Sequence, residues 1–380
     1  MANYLNIAML GHKRIPSREG GIEIVVEELS TRMVKKGHKV TCYNRNGHHV
    51  SGAQYDTKVG NEYKGVRIKS VITINKKGLA ALTSSFFAAI KSALGKYDIV
   101  HFHAEGPAAM CFIPKLCGKK VIVTIHGLDW ARTKWGKFAK TYIKFGEIQA
   151  AKHADEIIVL SRSVQRYFEE KYGVKTTYIP NGVNRPEIVE ADYITKEWGL
   201  EKDSYVLFLG RIVPEKGLKY LLQAWKKVKT NKKLVITGGS SDSNGFFNEL
   251  KEMATGDIVF TGFQQGKALE ELYSNAYLYV LPSDLEGMPL SLLEAMSYGN
   301  CCLVSDIPEL TEVIEDKGII FKRANVNDLS AKLQKALDDK KLVYHYKNIA
   351  RDFICQNHNW DDLVEKTLDV YWRAIRRKKK

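Results

Sequence analysis

The sequence contains no run of about 18 uncharged apolar residues, the length a membrane-spanning helix needs. Its start, "MANYLNIAMLGHKRI", lacks the basic-then-apolar build of a secretory leader, so a soluble, intracellular protein is expected. Cys42, Cys111, Cys117, Cys301, Cys302 and Cys355 form no CxxC pair and no zinc-ligand spacing, which leaves buried free thiols in a reducing compartment. No loop carries GxGxxG, which argues against a dinucleotide oxidoreductase. Low-complexity tracts are also missing, and 380 residues with 44% hydrophobic content suit two globular domains better than one.

Positive charge is plentiful and uneven. Residues 1–184 hold 29 Lys and Arg against 14 Asp and Glu, whereas residues 185–380 hold 29 of each, so the whole net charge of +15 lies in the first half. A basic half suggests an anionic partner: a membrane surface, a lipid-linked phosphate or a nucleic acid.

Short apolar segments alternate with amphipathic ones along the whole chain, the signature of parallel sheets covered on both faces. Strands are predicted at 6–12, 39–44, 67–74, 98–104, 120–127, 155–161 and 176–183, and then again at 204–212, 233–240, 257–263, 277–283, 301–307 and 318–323. The economical arrangement is two doubly wound units in series, with a boundary near "NGVNRPEIVEADY", where Asn, Gly and Pro cluster. From about 328 onward the pattern is helical. Ligands of such sheets bind beyond the carboxyl ends of the strands, and two facing units would make a cleft.

The strand-end segment "SDLEGMPLSLLEAMSYG" raises a chemical question. Pro289 suits a first helical turn, and Leu290, Leu292, Leu293, Ala295 and Met296 surround a helix with apolar side chains, yet Glu294 sits among them and Glu286 just before. A buried carboxylate requires a cation, a proton or hydroxyl donors. At a rise of about 1.5 Å per residue the two acids lie roughly 8 to 12 Å apart, a spacing that fits the two ends of a sugar nucleotide. The bland alternative is a helix-start Glu and a Glu bridged to an internal Lys or Arg.

In "FLGRIVPEKGLKYLLQAW", Arg211 ends a strand and Lys216 precedes a helix starting near Gly217. Two cations at a helix N-terminus oppose the macrodipole, unless a diphosphate occupies the gap; otherwise they are solvated surface charges. Gly20 and Gly21 lie where the first strand's loop meets a helix and allow a ligand to approach the backbone, or simply form a turn. His126 in "TIHGLD" ends a strand, beside Gly127 and near Asp129, in reach of a reacting sugar. His101 and His103 share a strand face; without an evident third ligand they read as cleft-lining or core histidines rather than a metal site. Asp284 and Glu286 form an Asp-x-Glu that could chelate a divalent ion, although Glu286 is better employed on substrate. In "DWARTKWGKFAKTYIKFGEIQAAK", Lys137, Lys140 and Lys144 recur at helical spacing among Trp130, Trp135, Phe138, Tyr142 and Phe145. Such a helix can lie on an anionic bilayer or be an ordinary helix with a basic edge; the mix also suits nucleic acid, but no nucleic-acid module accompanies it, so no nucleic-acid partner is expected.

Taken together, "EGMPLSLLE", "GRIVPEKG", "SREGG", "TIHGLD" and "YIPNGV" make the chain resemble, over nearly its whole length, the retaining family 4 glycosyltransferases of the GT-B fold, relatives of glycogen synthase and phosphatidylinositol mannosyltransferase. The stretch "GHKRIPSREGGIEIVVEEL" is similar to a bacterial subgroup with rhamnosyltransferases of capsule and cell-surface polysaccharide assembly. The resemblance implies an α/β fold of two Rossmann-like domains facing an interdomain cleft: residues 1–185 for the acceptor, 186–358 for the nucleotide sugar, and a helix at 359–380 returning to the first domain. It implies that Glu294 takes ribose hydroxyls and that Glu286 holds the donor sugar with the backbone of Gly287, Met288 and Leu290, beside Pro289. Arg211 and Lys216, next to Gly210, would bind the diphosphate and stabilise its growing charge. Gly20 and Gly21 would pack against the donor phosphate and His126 against the transferred sugar. It implies no cofactor and no metal, a UDP or dTDP sugar as donor, and front-face attack without a protein nucleophile. The expected function is transfer of a sugar to a lipid-linked or glycan acceptor in bacterial surface polysaccharide synthesis, by a cytoplasmic protein touching the anionic inner membrane face. The alternatives are a GT-B sugar-nucleotide epimerase and a non-catalytic polyanion- or membrane-binding protein.

Overall fold

A computed structural model describes residues 4–49, 52–57, 59–76, 78–132, 135–239 and 244–377. The chain forms two units: residues 1–181 with 360–380, and residues 182–359.

The first unit is built on eight strands: β1 (Asn6–Leu10), β2 (Lys39–Arg45), β3 (Glu62–Tyr63), β4 (Val66–Val71), β5 (Ile99–His103), β6 (Lys120–Ile125), β7 (Glu156–Val159) and β8 (Thr177–Tyr178). Their order is β3-β4-β2-β1-β5-β6-β7-β8, and every pairing is parallel except β3 with β4. The central strands read as unbroken apolar runs because helices cover both faces, and β5 is buried at every position. Near the edge, β4 alternates buried and exposed residues instead. β3 escapes sequence reading because two residues carry no periodicity; it forms through a turn in which Lys64 and Gly65 both have positive φ, 48° and 80°, as a tight hairpin requires.

The helix Trp360–Arg376 packs on this unit with Trp360, Leu363, Val364, Thr367, Leu368, Tyr371 and Ala374 inward, a helical repeat, with acids in its first turn and arginines in its last. Tyr371 bonds His101 at 2.7 Å, and Arg373 grips Glu156 near the start of β7.

The second unit holds β9 (Tyr205–Leu209), β10 (Lys233–Thr237), β11 (Ile258–Gly262), β12 (Leu278–Leu281), β13 (Cys302–Ser305) and β14 (Ile319–Phe321), all parallel in the order β11-β10-β9-β12-β13-β14. Strand order reverses between β9 and β12, and open parallel sheets bind their ligands beyond the carboxyl ends at such a switch point. The helices Val326–Asp338 and Lys340–Asn357 close this unit.

The cysteine expectation needs amendment. Cys42, Cys111, Cys301 and Cys302 are buried, but Cys355 is half-buried and Cys117 is exposed. No described helix is long and apolar enough to cross a membrane.

Candidate active site

The switch point of the second unit gathers the residues of the two long motifs. After β9 the chain runs through Gly210 and Arg211 into a 3-10 turn, Pro214–Lys216, before the helix Leu218–Trp225. Gly217 joins turn to helix at φ +68°, and a Cβ there would lie 1.9 Å from the carbonyl oxygen of Pro282, so only glycine allows the two loops to touch. The amide of Asp284 donates to the carbonyl of Glu215 at 2.9 Å, tying the loops a second time. On the other side Gly238 presses on the carbonyl of Gly210, where a Cβ would come within 1.8 Å.

Across this seam Lys216 Nζ meets Glu286 Oε1 at 2.5 Å, with side-chain exposures of 10% and 7%. Ser283 Oγ donates to the same oxygen at 2.6 Å, and Ser305 holds the backbone of Ser283 from below. Lys216 is therefore not the solvated surface charge of the bland alternative, since it is buried against Glu286. Arg211, at the start of the same loop as Lys216, is half-buried.

Pro289 caps the helix Leu290–Ser297 with extended backbone and lies before its first turn rather than in it. Gly287, Met288, Pro289 and Leu290 are buried. Glu294 does not lie inside an apolar cylinder. Leu292, Leu293, Ala295 and Met296 are buried, but Ser291, Glu294 and Tyr298 are half-exposed and share one helix face, because spacings of three, four and seven fall together. Tyr273 OH donates to Glu294 Oε2 at 3.2 Å, and the Tyr273 ring stacks on Tyr298 at 5.2 Å. Tyr279 OH touches both Ser291 Oγ at 3.0 Å and the carbonyl of Leu209 at 3.2 Å, linking this helix to the end of β9. Glu294 is thus an acceptor partly open to solvent.

Sequence reasoning missed Ser283, Tyr273 and Tyr279. Ser283 could have been noticed in "PSDLEG"; the tyrosines come from other elements and gave no local signal. Asp284 has its carboxyl pKa raised by burial, and no group of three or more His, Cys, Asp or Glu poised to hold a metal exists among the described residues.

In the first unit Gly20 precedes the helix Gly21–Lys35 in extended backbone that any residue can adopt, with the Glu23 carboxylate at 2.9 Å from where a Cβ would stand. Glu23 in turn accepts from the amide of Lys13 at 2.8 Å. His126 follows β6, and its Nε2 lies 3.1 Å from Nδ1 of His103. Protein packed around the ring lowers the His126 pKa to about 4, so it is neutral at physiological pH. His101 and His103 are fully buried, and His101 is held by Tyr371 OH and Thr124 Oγ1, so they are core residues of this unit.

The helix Lys137–His153 buries Ile143, Gly146, Glu147 and Ala150 and turns Lys137, Phe138, Thr141, Lys144, Phe145 and Ile148 outward. Trp130 is engaged elsewhere, against Tyr167 and under the Lys144 ammonium.

Residues 19–185 match the glycosyltransferase family 4 description and residues 191–353 match glycosyl transferases group 1. An Escherichia coli UDP-Gal:α-D-GlcNAc-diphosphoundecaprenol α-1,3-galactosyltransferase is 30% identical over 299 residues, covering 73% of this chain and 75% of that one. The chain belongs to the family 4 glycosyltransferases. This glycosyltransferase is also 26% identical to an uncharacterized glycosyltransferase of Methanocaldococcus jannaschii, across 98% of its own length and 99% of the relative's. Anabaena HepE, solved in complex with UDP and glucose, superposes with a TM-score of 0.79 at 14% identity over 97% and 100% of the two chains, which shows the GT-B fold. The enzyme is a retaining glycosyltransferase by family, and the epimerase and non-catalytic alternatives fall away.

Proposed function

We propose that this glycosyltransferase moves a hexose from a uridine diphosphate sugar to a glycan carried on a polyprenyl diphosphate during surface polysaccharide synthesis. The observation that carries the donor half is the seam where the "GRIVPEKG" and "EGMPLSLLE" loops lock together and set Arg211, Lys216, Glu286 and Glu294 around one strand-order reversal. Arg211 and Lys216 hold the diphosphate beside Gly210, and Lys216 exchanges part of its contact with Glu286 for phosphate oxygens. Glu286 and the backbone of Gly287, Met288, Pro289 and Leu290 hold the sugar hydroxyls, and Glu294, oriented by Tyr273, accepts from the ribose. Gly20, Gly21 and His126 of the first unit serve the phosphate and the sugar. In the transfer the acceptor hydroxyl oxygen bonds to C1 as the bond from C1 to the β-phosphate oxygen breaks; the hydroxyl proton passes to the departing diphosphate. Two cations stabilise the charge that grows there, which is the largest catalytic contribution available to such a site.

The acceptor half is supported by the E. coli relative, whose name specifies a diphosphoundecaprenol substrate, and by the basic, aromatic outer face of the Lys137–His153 helix, which suits an anionic bilayer. Residues 1–181 are accordingly read as the acceptor unit and 182–359 as the donor unit. Rhamnose from a dTDP donor is the second reading, favoured by "GHKRIPSREGGIEIVVEEL". Thermal-shift measurement against UDP-, dTDP- and GDP-sugars separates the two: stabilisation by UDP-hexoses supports the first, by dTDP-rhamnose the second, and no stabilisation by any of them refutes both.

A further inference from the structure

Behind His126 stands a ring that the expected chemistry leaves without a task. His103 ends β5, is fully buried, and places Nδ1 3.1 Å from His126 Nε2. Its position is over-determined. The His101 ring lies 4.1 Å away, itself held at 2.7 Å on each nitrogen by Tyr371 and Thr124. From the other side the β1 loop presses on the His103 backbone: Gly11, at φ +103°, would put a Cβ 2.2 Å from the His103 carbonyl oxygen.

Burial lowers the pKa of both His103 and His126, so the two imidazoles meet as neutral rings. A hydrogen bond between neutral imidazoles contains one proton, donated by one nitrogen and accepted by the other. His126 Nδ1 then carries a proton if Nε2 accepts, and none if Nε2 donates. His103 Nε2 is buried with no hydrogen-bond partner among the described residues, and an orphaned buried N–H costs more than an unused lone pair. The His103 proton therefore sits on Nδ1, His126 Nε2 accepts it, and His126 Nδ1 carries the N–H offered to a ligand.

We propose that His103 is a positioning residue for the transfer reaction: its Nδ1 fixes the ring plane and the tautomer of His126, so that His126 Nδ1 presents the donor sugar with one hydrogen-bonding role. The inference rests on the reading that His126 contacts the transferred sugar. An apolar residue at position 103 frees the His126 ring to exchange between tautomers, and a fraction of the enzyme then faces the sugar with the wrong nitrogen state.

The test combines steady-state kinetics with ¹⁵N spectra of the histidine side chains in the full chain. In the wild type, His126 shows two well-separated ring-nitrogen signals of a single neutral tautomer. His103→Leu brings those signals together, raises KM for the nucleotide sugar on the order of tenfold, the loss of one aligned hydrogen bond, and adds no further loss in a His126→Ala background. His103→Asn, which keeps a polar atom at the δ position, restores most of the affinity. His103→Met repeats the comparison should the leucine variant be unstable. Unchanged His126 signals in the apolar variants, or losses that add fully to those of His126→Ala, overturn the proposal. Donor kinetics indifferent to His126→Ala refute instead the sugar-contact reading, while the spectra still decide whether His103 holds that ring.

Discussion

Lys216 and Glu286, 70 residues apart in sequence, form an ion pair of 2.5 Å that joins the loops after β9 and β12. Removing one member of a sequestered pair strands the other charge, at a cost of about 3–5 kcal/mol for a fully buried pair. Lys216→Ala and Glu286→Ala should each lower the urea midpoint, and the double substitution should recover part of that loss because neither charge is left alone. Activity should be lost in all three. The urea curves and turnover, measured together, separate the structural share of the pair from its chemical share.

Gly217 should tolerate no side chain. Alanine there meets both an unfavourable positive φ and the Pro282 carbonyl at 1.9 Å, so the seam must open, and the Glu286 loop moves with it. The expected result for Gly217→Ala is a stability loss beyond about 1 kcal/mol and weakened UDP binding by calorimetry, whereas Gly256→Ala, which meets nothing within 4 Å, should change neither.

Much of this was legible in the sequence. Every central strand announced itself as an apolar run between turn residues, since a parallel sheet buried on both faces leaves no other pattern, and the two long motifs fell on strand ends as the fold requires. The seam between them was not legible. Lys216 read as a diphosphate ligand or a solvated surface charge because its partner lies 70 residues on, and Glu294 looked buried because its sequence neighbours are apolar although its helix face is shared with Ser291 and Tyr298. His103 read as a cleft-lining or core residue, and it is buried in the core; that its ring touches His126 depends on the β5–β6 pairing, which places His103 opposite Thr124. Local pattern gives the faces of elements, and only the sheet order decides which faces meet.

Acid should destabilise the first unit through its histidines. Burial lowers the pKa of His12 to about 4, of His101 to about 3 and of His126 to about 4 in the folded chain, against an ordinary value near 6.5. The unfolded chain takes up these protons first, so stability is present above pH 6.5 and is lost as pH falls toward 4, by about 1.4 kcal/mol per pH unit for each imidazole. Glu105, whose burial raises its pKa well above normal, acts with the opposite sign. His101→Asn should therefore flatten the fall in unfolding free energy between pH 7 and pH 4.5; an unchanged slope contradicts the assignment.

The outward face of the Lys137–His153 helix should bind anionic bilayers. Phe138 is 85% exposed, and Lys137 and Lys144, seven residues apart and so aligned with each other, are exposed to one side of it. Each basic residue near such a surface contributes about 1 kcal/mol at low salt. Lys137→Glu with Phe138→Ser should reduce co-sedimentation with phosphatidylglycerol vesicles while leaving UDP-sugar binding intact, and equal binding of the variant would place the membrane contact elsewhere or nowhere.

The most direct test of the donor site is isothermal titration of UDP and of uridine into the wild type and Arg211→Ala. Arg211→Ala removes a cation of the β9 loop while leaving both members of the Lys216–Glu286 pair in the chain. The account predicts that the wild type binds UDP far more tightly than uridine and that Arg211→Ala loses at least about tenfold for UDP, the worth of a charge-assisted contact, with little change for uridine. Equal affinity for UDP in the two proteins would contradict a diphosphate held between these loops.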